Sequence, residues 1–363
     1  MVIELDEGIR ISSRKINKIL HDPQATAKAV QLIYVNNSED GYIRVRRGKS
    51  FGYQYKTKAL KDKDALQRIK SLVLPPAWEN VWICTLHNGH LQATGMDARN
   101  RKQYRYHPLW NQLRNHTKFY RMLEFGEALP AIRKQVNKDL GLEGTPKEKV
   151  LAAVVSLMES TSIRIGNGEY EKANGSFGLT TLKDKHVNIS GNEMKFCFKG
   201  KKGVIHNISL RNKKLAKIVK QCRDIPGKEL FQYIGEDGER RTIDSGMVNE
   251  YLKNITGGEF TAKDFRTWAG SVYALQAFKE KSDFETVTEA RKNIVAALDE
   301  VSKHLGNTRT VCKKYYVHPE LLNLYENKKL GNYLQKLGDN TSGGDLKGLS
   351  PEEEVMMELL KKI

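Results

Sequence analysis

Lys147 to Ile163, KEKVLAAVVSLMESTSI, is the stretch that most narrows what this chain can fold into. It holds no Gly or Pro and is apolar on nearly every face. A helix of that kind is stable only when surrounded, so the stretch predicts a core helix with other elements packed around it. At its end stands Arg164, followed by Ile165-Gly166-Asn167, and Gly166 ends the element. An arginine in that place is ordinarily a cap or a salt-bridge partner, but so apolar a helix offers it no cheap partner.

The chain before this helix reads differently. Residues 1 to about 35 have apolar residues at helical spacing (Ile16, Ile19, Leu20, then Ala29, Leu32, Ile33) and are expected to form a helical lead. Tyr42 to Tyr55 alternates as a hairpin around Gly48. It contains Gly-Lys-Ser, but Ile43 stands where a phosphate-binding loop needs its first Gly, which excludes that motif. Asp62 to Leu72 predicts a helix stopped by Pro75-Pro76, and Val81 to Thr94 predicts two strands across Asn88-Gly89. Gly95 to His107, GMDARNRKQYRYH, interleaves Arg99, Arg101, Lys102 and Arg105 with Gln103, Tyr104 and Tyr106. Cations suit phosphates, while aromatic and amide groups reach sugars and bases. A solvated basic strand would look the same in isolation. The pattern turns helical at residue 108, which places a domain boundary there.

After the core helix, His186 to Leu210 predicts a three-stranded meander with Met194, Phe196 and Phe198 on one face. Its second turn, Gly200-Lys201-Lys202-Gly203, presents two lysines on a tight tip able to reach into a ligand. Residues 211 to 256 read as mainly helical with a loop at Glu236-Asp237-Gly238. Arg266 sits in TAKDFRTWAG, which otherwise looks buried, and a buried arginine calls for an anionic partner. In Val301 to Glu320 the turn Gly306-Asn307-Thr308 precedes Lys313, Lys314, Tyr315 and Tyr316. A phenol, with a pKa near ~10, attacks poorly until cations draw off its proton. Lys328 to Asp345 is rich in Gly, Asn and Ser and is expected to be flexible. SPEEEVMMELLKKI then predicts a short helix capped by Ser350, with Pro351 at its first position.

Composition narrows the partner. Against 43 acidic residues stand 61 Lys and Arg, a net charge of +18 that favours a polyanion, with nucleic acid ahead of a membrane surface. The cysteines (Cys84, Cys197, Cys222, Cys312) have no CxxC spacing and the histidines no HExxH, so no metal site is expected and reduced, cytosolic thiols are. No apolar run is long enough to span a membrane, and the N-terminus lacks a secretory h-region.

GMDARNRKQYRY, SIRIGN with the following GLTTLKDKH, FKGKKGVIH, KDFRTW and LGNTRTVCKKYY occur in that order. Together they resemble the type IB DNA topoisomerases of the bacterial and poxvirus kind, and PPAWENVWIC with GHLQATGMDAR is similar to the bacterial branch. The resemblance runs from about Tyr42 to Pro319. It implies an α+β protein: a small β-rich N-terminal DNA-clamp domain (1–107), a larger mostly helical catalytic domain carrying the meander (108–335), and a flexible segment with a short helix (336–363). It implies Tyr316 as nucleophile, nine residues after Asn307, with Tyr315 as the rival. It implies Arg164, Lys201 and Arg266 as the phosphate-binding and acid groups. Asn307 stands where poxvirus members have histidine; it can donate a hydrogen bond but carries no charge. Implied DNA contacts are Arg101, Gln103, Tyr104 and Tyr106 on the clamp strand, Asn167 and Tyr170 after the first arginine, and Lys263 before the second. The resemblance further implies relaxation of duplex DNA by a monomer, through a 3′-phosphotyrosyl link, without ATP or an obligate metal. Such an enzyme would work in the cytoplasm on the nucleoid.

Two alternatives remain at this stage. A tyrosine recombinase or integrase resembles the same chemistry, but usually reads His-x-x-Arg where this chain has Lys263-Asp264-Phe265-Arg266, and lacks the clamp strand. A non-enzymatic basic DNA-binding protein accounts for the charge but not for the ordered Arg, Lys, Arg, Tyr set. No residue of the motifs reads as a general base.

Overall fold

The computed structural model describes residues 2–4, 8–12, 15, 19, 22–48, 50–97, 102–281, 283–337 and 348–362. It holds two compact units, Met1–Tyr120 and Arg121–Ile363.

The first unit is built on a six-stranded antiparallel sheet. Two short strands, β1 (Val2–Glu4) and β2 (Arg10–Ser12), pair antiparallel, and helix α1 (Pro23–Ala29) follows. The expected helical lead is corrected only in part: two strands come first, while Lys15 and Ile19 are helical and α1 takes in Ala29. Ile11 faces inward from β2 and is buried with Ala27 and Val30, so strand alternation, not helical spacing, decides the start of the chain. Ile16 and Leu20, which suggested the helix, lie outside the described residues. Asp22 caps α1 by accepting from the amides of Gln24 and Ala25.

Strands β3 (Gly41–Arg47), β4 (Ser50–Tyr55) and β5 (Lys58–Ala59), helix α2 (Lys63–Ser71), and strands β6 (Glu79–Cys84), β7 (Leu91–Met96) and β8 (Lys102–Tyr106) follow. The sheet order is β5-β4-β3-β6-β7-β8, with β8 at an edge. Alternation in β6 explains both faces: Val81 and Ile83 pack with Ile69 of α2, while Trp82 and Cys84 pack with Val35 and Leu91. The hairpin around Gly48 forms as predicted. The β6–β7 connection is longer than a two-residue Asn-Gly turn. The Gln92 side-chain amide holds it by donating to the carbonyls of His87 and Gly89.

Helix α3 (Pro108–Asp139) contains the division between the units. The second unit surrounds α4 (Lys147–Thr161), the predicted core helix, in which Val150 to Val155 are all buried. Each Val and Leu side chain among them contributes roughly 1.5–3 kcal/mol by leaving water. Helix α5 (Gly168–Asn174) precedes the predicted meander β9 (Val187–Ser190), β10 (Glu193–Lys199) and β11 (Ile205–Arg211), with Met194, Phe196 and Phe198 buried on one face.

Helix α6 (Lys213–Asp224) is followed by a hairpin, β12 (Gln232–Ile234) and β13 (Arg240–Thr242), where a loop between helices was expected. Strands of three residues leave almost no alternation to read. Helices α7 (Ser245–Thr256), α8 (Ala262–Lys279), α9 (Val287–Leu305), α10 (Arg309–Tyr315), α11 (Pro319–Glu326), α12 (Gly331–Leu334) and α13 (Pro351–Lys362) complete the unit. Helix α12 lies inside the stretch expected to be flexible, and residues 338–345 of that stretch lie outside the described ones. Ser350 caps α13 as predicted, accepting from the Glu353 amide, while Glu353 accepts from the Ser350 amide.

Helix α13 is keyed onto α8 by a buried charge network. Both guanidinium Nη atoms of Arg133 donate to Glu353, each at 2.8 Å, and Arg133 Nε donates to Glu159 at 2.8 Å. The Trp268 indole of α8 donates to the same Glu353 carboxylate at 2.9 Å. Paired forks of this kind fix geometry as well as charge.

Candidate active site

Helix α8 begins with a capping box: Thr261 is the cap, and Asp264 reaches back to the Thr261 amide at 2.8 Å. The helix is buried along most of its length and takes Arg266 with it, at 4% exposure. Among the described residues no carboxylate is hydrogen-bonded to this guanidinium. It donates instead to the carbonyls of Ser162 and, at 2.7 Å, Leu305. Ser162 caps the C-terminus of α4 in a left-handed conformation, and Leu305 ends α9. Within the protein Arg266 is thus met by two helix C-termini, whose carbonyls carry partial negative charge. Arg266 Nε is buried and among the described residues has no hydrogen-bond partner.

Arg164 comes to the same place. The segment after α4 is pinned by the Leu179 and Thr180 amides, which donate to the Arg164 and Ile165 carbonyls. The guanidinium donates to the Asn307 side-chain oxygen and to the Gly306 carbonyl at 3.4 Å. Burial lowers its pKa to about 10, helped by the charge of Arg266 and opposed by the nearby Tyr316 phenol. Two guanidiniums held so close repel each other and favour any anion placed between them.

Tyr316 follows α10 directly, and its amide donates to the Cys312 carbonyl at 2.9 Å. Its ring lies under Arg266, 5.1 Å from the guanidinium carbon. Tyr315 carries Lys314 over its ring at 5.5 Å instead. Helix α8 also grips the Tyr316 backbone. Ser271 Oγ donates to the Tyr316 carbonyl at 3.2 Å and accepts from the His318 amide at 3.0 Å. A Cβ at Gly270 would come within 2.7 Å of that carbonyl oxygen and 2.9 Å of the Tyr316 Cβ.

Sequence reasoning missed both Gly270 and Ser271. A glycine within a helix costs ~1 kcal/mol relative to alanine, which was the available hint.

Lys201 stands exposed on the β10–β11 turn, and among the described residues no hydrogen bond or ion pair joins it to the arginines. Lys263 is exposed in the first turn of α8, one turn before Arg266. The Asn167 carbonyl accepts from the Glu171 amide at the start of α5; the Tyr170 side chain lies outside the described residues. On β8, Tyr104 is 48% exposed and stacks on Tyr106, with ring centroids 5.8 Å apart. Tyr106 is half-buried against the core of the first unit, which raises its phenol pKa, mainly by burial. Gln103 donates to Asp97 at 3.0 Å, and Arg101 lies outside the described residues.

Among the described residues no group of His, Cys, Asp and Glu could hold a metal ion, and no helix is long and apolar enough to cross a membrane.

Comparison with known proteins gives the family. Residues 107–339 match the family model "Eukaryotic DNA topoisomerase I, catalytic core", and residues 50–97 match "Bacterial DNA topoisomerase IB, N-terminal domain". The DNA topoisomerase 1B of Acanthamoeba polyphaga mimivirus is 33% identical over 297 residues, covering 79% of this chain and 88% of the viral one. That of Vaccinia virus (strain Copenhagen) is 25% identical over 244 residues, covering 67% of this chain and 74% of its own. With the catalytic core matched over more than half its length and a relative at this identity, the chain belongs to the type IB DNA topoisomerases.

Proposed function

We propose that Tyr316 is the nucleophile with which this topoisomerase opens one strand of duplex DNA, and that Arg164, Arg266 and Lys201 assist it. The observation that carries this reading is the convergence of Arg164, Arg266 and Tyr316, from three distant parts of the chain, around the C-terminal turn of α9.

The Tyr316 oxygen attacks a backbone phosphorus as its proton leaves. The bond from phosphorus to the 5′ oxygen breaks, leaving a 3′-phosphotyrosine and a free 5′-hydroxyl. Arg164 and Arg266 donate to the non-bridging oxygens as charge grows there, and the Asn307 amide adds a neutral donor. Lys201, on its exposed turn, swings to the leaving oxygen and protonates it as general acid. The broken strand rotates about the intact one, and the 5′-hydroxyl then attacks the phosphotyrosine and restores the backbone. The ester energy stays in the protein–DNA link, so the cycle runs without ATP, and the arginines neutralise charge without an obligate metal.

Arg101, Gln103, Tyr104, Tyr106, Asn167, Tyr170 and Lys263 contact the duplex, the first four from a clamp domain. The enzyme works as a monomer on double-stranded DNA in the cytoplasm, bound to the nucleoid. Its four cysteines are unpaired, in keeping with a reducing compartment.

The test is relaxation of a supercoiled plasmid in EDTA without nucleotide. Relaxed circles, with a covalent adduct trapped by denaturant, support the reading; an absolute need for ATP or a divalent ion overturns it.

A further inference from the structure

His206 takes no part in the reading above, yet it lies where three parts of the site meet. It stands on β11 opposite Phe198 of β10, and its ring stacks on Phe198 with centroids 5.0 Å apart and planes 16° apart. Two backbone turns close against the imidazole. A Cβ at Gly200 would come within 2.6 Å of both Cδ2 and Nε2 of the ring, and a Cβ at Gly306 within 2.3 Å of Cε1. No side chain survives at such distances, so each turn presents bare backbone to the ring.

Gly200 opens the turn that carries Lys201, while Gly306 opens the turn that carries Asn307 and accepts from Arg164. The ring is thus wedged between them. Burial lowers the imidazole pKa, and the charges of Arg164 and Arg266 lower it further, so the wedge is neutral and adds no cation of its own. The Lys201 turn needs such a support. Among the described residues the Lys201 side chain makes no hydrogen bond, and the loop is held only by its own backbone, Gly200 to Val204, and by the Phe177 amide at Lys199.

We propose that His206 is a positioning residue whose ring, wedged between Gly200 and Gly306, fixes the Lys201 turn against the Asn307 turn so that Lys201 meets the leaving oxygen. This rests on the reading of Lys201 as general acid. A structural packing role alone would slow every substrate alike. Action through Lys201 makes the defect depend on the leaving group, because a thiolate departs without a proton.

The experiment is single-turnover cleavage by the full-length chain of a duplex that the wild type cleaves, with oxygen or sulfur at the 5′ bridging position. The variants are Lys201→Ala, His206→Ala and the two combined. Lys201→Ala slows the oxygen substrate by about 10²-fold and recovers with sulfur. His206→Ala slows it about tenfold through misplacement, recovers with sulfur to near the wild-type rate, and adds nothing to Lys201→Ala. His206→Leu, which keeps apolar cover over Phe198, is read in the same way if the alanine variant does not fold. Equal slowing on both substrates, an unchanged rate, or additive loss in the double variant overturns the role of His206. If Lys201→Ala itself fails to recover with sulfur, the acid reading fails and the role of His206 falls with it.

Discussion

The Arg266 guanidinium carbon lies 5.1 Å from the centroid of the Tyr316 ring. The same helix that delivers this arginine also holds the Tyr316 backbone through Ser271 and leaves room for it at Gly270. Helix α8 therefore carries the cation and also holds the backbone of the turn that carries the phenol. Rigid support of this kind keeps a catalytic group in its productive geometry.

Arg164→Ala and Arg266→Ala each slow strand cleavage by about 10²-fold or more, the scale for losing one transition-state donor. Arg266→Lys recovers little, because an ammonium cannot span the Ser162 and Leu305 carbonyls and still fork to a phosphate. Single-turnover cleavage rates check both.

Gly270→Ala places a methyl group against the Tyr316 carbonyl. It is expected to cost about 1–3 kcal/mol of stability as an overpacked site and to slow cleavage more than other variants of equal stability cost. Thermal unfolding and cleavage rates, measured together, separate the two effects.

Tyr104 and Tyr106 divide by burial. Tyr104→Ala weakens DNA binding and leaves the melting temperature nearly unchanged, because the ring is 48% exposed. Tyr106→Ala lowers the melting temperature as well, since that ring packs against the core of the first unit. For both, binding falls steeply as salt rises, as phosphate contacts require.

Glu353 ties stability to pH. Burial pushes its carboxyl up, but the Arg133 hydrogen bonds and charge outweigh this and hold it below the ordinary range. A depressed carboxyl stabilises the fold above the unfolded value near ~4.3 and loses that contribution as pH falls through the folded value. Glu353→Gln therefore flattens the acid limb of the stability curve. Glu353→Ala, which leaves buried Arg133 with Glu159 as a remaining carboxylate partner, costs at most about 3–5 kcal/mol at neutral pH.

The residues proposed to carry the chemistry stand out in the sequence because each sits in a short local motif. Arg164 ends an apolar helix, Lys201 sits on a hairpin tip, and Tyr316 follows a turn. Their surroundings could not be read. Arg266 was expected to need an anion, and it is met by two helix C-termini that sequence distance conceals. His206 reads as one more alternating residue of a strand until Gly200 and Gly306 are seen to close on it. The core helix and the meander carried strong periodicity. The first two strands and the β12–β13 pair did not, because strands of three residues leave almost no alternation to read.

The covalent adduct tests the central claim most directly. The wild type, Tyr315→Phe and Tyr316→Phe are each incubated with supercoiled DNA, stopped with denaturant and assayed for protein-linked strands. Tyr316→Phe is expected to bind DNA but yield no adduct and no relaxation, since only one oxygen is lost, while Tyr315→Phe yields both. An adduct that survives Tyr316→Phe, or disappears with Tyr315→Phe alone, would contradict the assignment of the nucleophile.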